Sequence, residues 1–163
     1  MCAEQIRVRE AVPEDASLWE AMRRELWPDG AEDHAPEIAM FFAGTLKEPV
    51  AVLMAENAAG MVVGFAELSI RDDVAAVEGK RTGYVEGLWV RPEDRGGGVA
   101  RTLMRASREW ALQQTCAAFG SDRAGRVAID KSFQRWQGRI SSGAKALWNG
   151  GLHDGRLKAS SNR

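Results

Sequence analysis

Three consecutive glycines, Gly96 to Gly98, separate an apolar stretch from a run of helix-forming residues. Glycine lacks a Cβ atom and adopts positive φ values readily, so successive backbone amides can converge on one anion. The positive end of the following helix dipole lies at the same place. The spacing R-G-G-G-V-A matches neither G-x-x-x-x-G-K-[ST] nor G-x-G-x-x-G, which argues against nucleotide-hydrolysing and dinucleotide-binding loops. We therefore predict a phosphate-binding loop of another kind, the alternative being a glycine-rich turn without a ligand.

Two acidic residues occupy positions where burying a carboxylate would cost free energy unless it had a partner or a catalytic role. Glu86 lies inside the apolar stretch Tyr84 to Val90, and Asp122 ends the next apolar stretch along the chain. Burying an unpaired carboxylate is expensive, and the carboxyl ends of neighbouring strands meet at one crevice. Both residues are therefore candidates for taking a proton from a nucleophile. The structural alternatives are that Glu86 pairs with an arginine and that Asp122 caps a turn.

Strands and helices must bring this loop and these acids together. Apolar periodicity predicts five strands, at Gln5 to Arg9, Val50 to Glu56, Met61 to Ser69, Tyr84 to Val90 and Ala117 to Ser121. The segment Asn57 to Gly60 predicts a hairpin between the second and third of them. Three helices are predicted, the first starting at Pro13, the second near Pro36 and the third covering Val99 to Gln113. The first is expected to bury one face, formed by Leu18, Trp19, Met22 and Leu26.

Length and charge restrict the class of protein. The chain has 163 residues, 45% of them hydrophobic, and a net charge of −1, as expected for one globular domain. Residues 125–163 carry eight basic and two acidic residues, a net charge of +6, so the body before them carries −7. An acidic body attracts a cationic small molecule and argues against nucleic acid as a partner. We expect no membrane segment, reduced cysteines at Cys2 and Cys116, and a cytoplasmic location.

The glycine loop resembles the R/Q-x-x-G-x-G/A loop of the GNAT N-acetyltransferase superfamily, with Arg95, Gly98 and Ala100 at its defining positions. Four segments together look like the aminoglycoside 6'-N-acetyltransferases: Leu26 to Pro28, Gly64 to Asp73, Val85 to Val90, and Ser121 with Asp122. The resemblance covers about residues 5–124. It implies an α+β fold of the GNAT type, with a mixed, mostly antiparallel central sheet and helices on both faces.

After Arg123 the sequence departs from the superfamily pattern. We predict a GNAT domain over residues 1–124, followed at 125–163 by an atypical basic segment that is partly disordered, with the C-terminal strands missing or altered. In some members a tyrosine from the missing helix protonates the leaving thiolate. The only tyrosine here is Tyr84, so the general acid is unassigned and water is an acceptable substitute.

The resemblance implies that acetyl-CoA is the cosubstrate and that its acetyl group goes directly to the 6'-amine of an aminoglycoside antibiotic, which confers resistance. The amine is largely protonated near neutral pH and must lose a proton, and the resemblance places active-site acids at Glu86 and Asp122. A backbone N–H near Leu88 or Trp89 would stabilise the thioester oxygen. The predicted cofactor-binding residues are Leu88, Trp89, Val90, Arg95, Gly96, Gly97, Gly98, Val99 and Ala100.

Recognition of the cationic substrate is assigned to acids near the crevice and to one aromatic ring. The predicted substrate-binding residues are Trp27, Glu67, Asp72, Asp73, Glu86 and Asp122. Exposed acids are usually solvated surface, which is the favoured interpretation for Asp29, Glu32 and Asp33. His34 and His153 are expected on the surface, no metal site is expected, and the family expectation for assembly is a homodimer.

Two alternatives stay open at this point. The chain is an acetyltransferase for another amine, on a polyamine or a protein, or it is a non-catalytic CoA-binding module with the same fold. A thiol-release assay separates these possibilities, because the first needs a different acceptor and the second releases no thiol.

Overall fold

The computed structural model describes residues 5–30 and 33–137. Six strands form one sheet in chain order: β1 (Arg7–Glu10), β2 (Ala51–Glu56), β3 (Val62–Arg71), β4 (Thr82–Val90), β5 (Ala118–Arg123) and β6 (Arg126–Ile129). The helices are α1 (Ala16–Leu26), α2 (His34–Ala43), α3 (Val99–Gln113) and α4 (Phe133–Gln137). Neighbouring strands are antiparallel except β4 and β5, which are parallel. The predicted element order, the hairpin at Asn57 and the mostly antiparallel α+β fold are confirmed.

Helices cover both faces of the sheet. On one face α1 and α2 pack against β2 and β3 through a cluster that includes Trp19, Met22, Phe41 and Phe65. On the other face α3 packs against the sheet through a second cluster, which includes Leu53, Leu68, Val85, Leu103 and Phe119. Because α3 is anchored along its length by Leu103 and Trp110, its first turn is held at the end of β4.

Helix α1 buries a narrower face than its periodicity predicts. Trp19 and Met22 are almost fully buried, but Leu18 is 44% exposed, so its predicted burial is wrong. Each helical residue turns the direction of the side chain by about 100°, which leaves position 18 at the edge of the stripe formed by positions 19, 22 and 26. The helix ends at Leu26. This end is expected, because the next residue, Trp27, precedes Pro28, and a residue before proline avoids the helical conformation.

A β-bulge interrupts the pairing of β3 with β4 at Glu86. Leu68 lies opposite Val85, and Glu67 lies opposite Gly87, so Glu86 is the extra residue on β4. The pairing of β4 with β5 stops nearby, at Val85 and Ser121. The two strands therefore separate beyond this point, and the sheet opens beside Glu86.

The packed structure continues past residue 124. Strand β6 pairs antiparallel with β5 and covers its edge. Phe133 is 1% exposed and stacks on Phe119, with 5.8 Å between ring centroids. Arg108 and Asp130 form an ion pair at 2.7 Å between α3 and the segment after β6. The fold therefore extends beyond the expected division after residue 124. Pairing of β6 and burial of the Phe133 ring hold residues 126–133 on the sheet. Residues 138–163 lie outside the described residues.

Removing residues 138–163 is expected to leave the thermal unfolding midpoint nearly unchanged, because this stretch is basic and rich in glycine and serine, a composition that favours little burial of apolar surface. Removing residues 125–163 is expected to lower it clearly, since β6 and the ring of Phe133 are lost as well. Circular dichroism melting of both truncated chains measures the difference. If the chain that lacks only residues 138–163 is unfolded, those residues contribute to the stability of the domain.

Candidate active site

Two clefts meet at Glu86. The larger, of about 600 Å³, lies between the end of α1, the start of α2 and the sheet. The smaller, of about 340 Å³, lies in the opening between β4 and β5 and extends to Ala100 and Met104 of α3. Leu26, Trp27 and Glu86 line both clefts. A ligand in one cleft can therefore reach a ligand in the other at this point.

The larger cleft is strongly acidic. Its lining includes five carboxylates and one arginine, Arg23, together with His34. The carboxylates belong to Asp29, Glu37, Glu48, Glu67 and Glu86. Acids concentrated in a concave site raise the local concentration of cations, so this cleft suits a small ligand with several positive charges.

Glu67 is buried beneath the acidic cleft. It is 2% exposed, and its Oε1 accepts a hydrogen bond from Trp19 Nε1 at 2.9 Å and lies 2.7 Å from Arg23 Nε. Burial raises the pKa of the Glu67 carboxyl, and the charge of Arg23 opposes that shift. Arg23 also donates to Glu37 at 2.8 Å, so it joins a buried acid to an acid on the rim. Because Glu67 already has these partners, contact of Glu67 with substrate stays a prediction.

Glu86 pairs with an arginine that the sequence did not single out. Arg71 donates from Nε and Nη2 to the two carboxylate oxygens of Glu86, each at 2.6 Å. This is the bidentate geometry in which arginine holds a carboxylate most firmly. The structural alternative considered for Glu86 is therefore realised. It does not remove the acid from the site, because Glu86 is 20% exposed and faces both clefts.

Asp122 lies across the opening from Glu86 and also has an unforeseen partner. Tyr84 donates its hydroxyl to Asp122 Oδ1 at 2.6 Å. Burial of Tyr84 raises the pKa of its phenol, and the negative charge of Asp122 raises it further, so the phenol stays protonated and donating. Asp122 itself is exposed and lines the smaller cleft. The sequence contains one indication that this residue is special: Tyr84 is the only tyrosine in the chain.

The glycine loop has the geometry of an anion cradle. Gly96 and Gly98 have φ values of +84° and +92°, and a Cβ atom built on either would meet no atom within 4 Å. Gly98 precedes α3, and no side chain caps the first turn of that helix. Its first amides, at Val99 and Ala100, are therefore left for a ligand. Arg95 Nε donates to the carbonyl of Val90 at 3.0 Å and ties the loop to the end of β4.

These features fit the diphosphate and thioester arm of acetyl-CoA. The cradle lies at the start of α3, and the smaller cleft beside it is lined by Leu88, Ala100 and Met104. Of the three predicted residues at the end of β4, the side chain of Leu88 lines this cleft. Those of Trp89 and Val90 pack into the clusters on the two faces of the sheet. Cofactor contacts of Trp89 and Val90 would therefore come from the backbone, and they stay a prediction.

Trp27 is the wall between the two clefts. Its ring lies so close to β4 that a Cβ atom on Gly87 would be 2.8 Å from Trp27 Cη2 and 3.0 Å from Leu26 Cδ2. Glycine at position 87 thus permits the ring to lie against the strand. This arrangement agrees with a flat face for a sugar ring, which stays a prediction.

Other predicted residues have mixed positions. Asp72 and Asp73 are exposed and line neither cleft, while Asp29 lines the larger one. Asp33 accepts a hydrogen bond from Ala35 N at 3.2 Å and caps α2.

His34 is 5% exposed and lines the larger cleft, so its predicted surface position is wrong. The reason is that the start of α2 packs against Trp27. Glu32 and His153 lie outside the described residues. Within residues 5–30 and 33–137, no acidic, histidine or cysteine cluster suits a metal ion, and no helix is long and apolar enough to span a membrane.

Changing Gly87 to alanine is expected to displace Trp27 from β4, because the added Cβ overlaps the ring and Leu26. We expect a rise of about 5-fold in the KM of the substrate that binds in the acidic cleft and a smaller change in kcat. Steady-state kinetics measures both constants. A control is Gly60→Ala, where the added Cβ meets no atom within 4 Å. Equal KM values for the Gly87 and Gly60 variants would contradict the prediction.

Comparison with known proteins agrees with this geometry. The profile of the acetyltransferase (GNAT) family matches residues 17–134. The chain is 40% identical over 116 residues to aminoglycoside N(6')-acetyltransferase type 1 of Klebsiella aerogenes, a match covering 71% of this chain and 76% of that protein. It is 37% identical over 123 residues to the protein of the same name from Stenotrophomonas maltophilia, covering 75% and 78%.

Solved structures of similar fold include AAC(6')-Iy in complex with the bisubstrate analogue CoA-S-monomethyl-acetylneamine. That match has a TM-score of 0.65 and 25% identity and covers 85% of this chain and 90% of the other. Apo AAC(6')-IG from Acinetobacter haemolyticus matches with a TM-score of 0.62 and 28% identity, covering 84% and 90%. The family profile continues past residue 124 to residue 134, in agreement with the packing of β6 and Phe133. The chain therefore belongs to the GNAT family of acetyltransferases, whose acetyl donor is acetyl-CoA.

Proposed function

We propose that the chain transfers the acetyl group of acetyl-CoA to the 6'-amino group of aminoglycoside antibiotics and so confers resistance to them. The observation that carries this proposal is the meeting, at Glu86, of an acidic cleft and a second cleft that extends to the start of α3. An aminoglycoside is a compact molecule with several ammonium groups, which the excess of carboxylates over arginine in the larger cleft can balance. Relatives with 30–40% identity that are named aminoglycoside N(6')-acetyltransferases support the same acceptor.

The cofactor is assigned to the glycine loop and the smaller cleft. The amides from Gly96 to Ala100 bind the diphosphate, and the cleft beside Leu88 holds the thioester arm. Bound acetyl-CoA supplies an activated carbonyl next to Glu86. A backbone N–H near Leu88 or Trp89 donates to the carbonyl oxygen as negative charge develops there. The opening of the sheet beyond Val85 leaves room for this arrangement.

The amine must lose a proton to become a nucleophile, and two carboxylates are placed to receive it. Glu86 faces both clefts and is the proposed proton acceptor, directly or through water. A carboxylate has about four lone-pair sites, so the two bonds from Arg71 leave Glu86 able to accept. Asp122, on the opposite side of the opening, is the second acid and holds the amine in the orientation for attack on the thioester.

Thiol release from acetyl-CoA tests the proposal. We expect release with kanamycin or tobramycin and none with an aminoglycoside that carries a hydroxyl in place of the 6'-amine. Mass spectrometry and NMR of the product are expected to place one acetyl group on the 6'-nitrogen. Release with a polyamine or a protein amine but no aminoglycoside would favour the acceptor alternatives. Cofactor binding without release under any of these conditions would favour a non-catalytic module.

The compartment and the assembly are part of the proposal. Cys116 is buried and forms no disulfide bond within the described residues, which fits the reducing cytoplasm. A homodimer is the family expectation, and sedimentation of the full chain measures it.

A further inference from the structure

We propose that Arg71 and Tyr84 are positioning residues for acetyl transfer, with Arg71 fixing the carboxylate of Glu86 and Tyr84 fixing that of Asp122. This inference rests on the proposed function, because it concerns how that reaction's two acids are held. Neither residue lines the cleft between β4 and β5, so each acts through the acid it contacts.

Arg71 sets the direction of Glu86. In the ladder Arg71 lies opposite Thr82, so its side chain must extend along β4 to reach Glu86. It ends in two hydrogen bonds of 2.6 Å, one to each carboxylate oxygen. Glu86 is the bulged residue, so regular strand pairing does not align its side chain. Without the planar fork of Arg71, the carboxylate would be free to rotate between the two clefts.

Tyr84 sets the direction of Asp122 on the other side of the opening. The tyrosine is 3% exposed, so its ring is held by packing, and its hydroxyl donates to Asp122 Oδ1 at 2.6 Å. Asp122 is exposed and lies beyond the last residue of β5 that pairs with β4. An exposed aspartate without a fixed donor samples several rotamers. Pairing with Val127 of β6 holds the backbone of Asp122, and the hydrogen bond from the buried phenol fixes the direction of its carboxylate.

The two pairs touch each other. The guanidinium carbon of Arg71 lies 4.9 Å from the centroid of the Tyr84 ring. Glu86, Arg71, Tyr84 and Asp122 thus form one continuous line of contacts between the two sides of the opening. A misplacement of about 1 Å in a reacting group can cost about 100-fold in rate. Loss of one positioning contact is expected to cost less, about 10-fold in kcat.

A double-mutant cycle tests the role of Tyr84. Tyr84→Phe keeps the ring beneath Arg71 and removes only the hydroxyl. We expect it to lower kcat about 10-fold with little change in the KM of acetyl-CoA. In the Asp122→Asn background the same change is expected to have almost no further effect, because both changes act at one carboxylate. An equal loss in both backgrounds would overturn the role assigned to Tyr84.

Arg71→Gln tests the other half, with Arg9→Gln as its matched control. Arg9 also forms a fork on a carboxylate, donating to the two oxygens of Asp15 at 2.7 and 2.9 Å, but it lines neither cleft. Both variants are expected to lose thermal stability, and only Arg71→Gln is expected to lose about 10-fold in kcat. Arg71→Lys restores the charge without the fork and is expected to recover only part of the rate. Equal kcat values for the two glutamine variants would overturn the role assigned to Arg71.

One measurement does not depend on the reaction. Because the chain has a single tyrosine, the near-ultraviolet absorbance of phenolate reports Tyr84 alone. Asp122→Asn removes a neighbouring negative charge, so phenolate is expected to form at lower pH than in the wild type. Identical titrations would overturn the contact between the two residues. A wild type inactive with every aminoglycoside refutes the proposed function. An active wild type matched in rate by Tyr84→Phe refutes only the positioning role.

Discussion

Glu86→Gln is expected to lower kcat about 100-fold while changing the KM of the aminoglycoside much less. Glutamine has nearly the same shape as glutamate but does not take a proton from the amine. A group that acts in the transition state affects turnover, whereas a group that only binds the substrate affects KM. Steady-state kinetics over a range of aminoglycoside concentrations separates the two constants.

Glu37→Gln is the matched control for this change. Glu37 lines the same acidic cleft but not the smaller one, and it bonds to Arg23 rather than Arg71. We expect it to raise KM and leave kcat nearly unchanged. If Asp122→Asn lowers kcat about 100-fold and Glu86→Gln raises only KM, the roles of the two acids are exchanged. Circular dichroism melting checks that loss of the bond to Arg71 has not unfolded the Glu86 variant.

Gly98→Val is expected to weaken acetyl-CoA binding by about 10- to 100-fold. Gly98 has a φ of +92°, which a β-branched residue adopts only with strain of about 1–3 kcal/mol. The valine would also place its side chain in the open space in front of the first amides of α3. The strain mainly lowers folding stability, whereas the obstruction weakens binding, and each 1.4 kcal/mol of lost binding free energy corresponds to about a tenfold change in affinity. Isothermal titration calorimetry measures the dissociation constant.

Gly44→Val separates the strain from the obstruction. Gly44 ends α2 with a φ of +74°, and its added Cβ also meets no atom within 4 Å. Both variants are expected to lose a similar amount of thermal stability, but only Gly98→Val is expected to lose affinity for acetyl-CoA. Unchanged affinity in a folded Gly98 variant would show that the loop does not bind the cofactor.

Local signals were enough to predict the framework of this protein from its sequence. The order of the elements through β5, the hairpin at Asn57 and the helix from Val99 to Gln113 all agree with the structure. Each depends on residues near one another in the chain: alternating apolar positions, a turn sequence, or a glycine before an amphipathic run. The glycine loop and the acids at positions 86 and 122 were selected as candidates for the same reason, and their roles stay predictions.

Tertiary structure alone decided which groups hold those acids. Arg71 is 15 residues from Glu86, and Tyr84 is 38 residues from Asp122, so each pairing depends on strand register rather than local sequence. The bulge at Glu86 is a property of two paired strands, and the burial of His34 follows from its packing beside Trp27. Phe133 was not predicted as core because its short helix has little periodicity of its own, and its burial comes from Phe119 on β5. Residue types and spacing thus determined the fold and the kind of chemistry, whereas contacts between distant strands determined how the site is held in place.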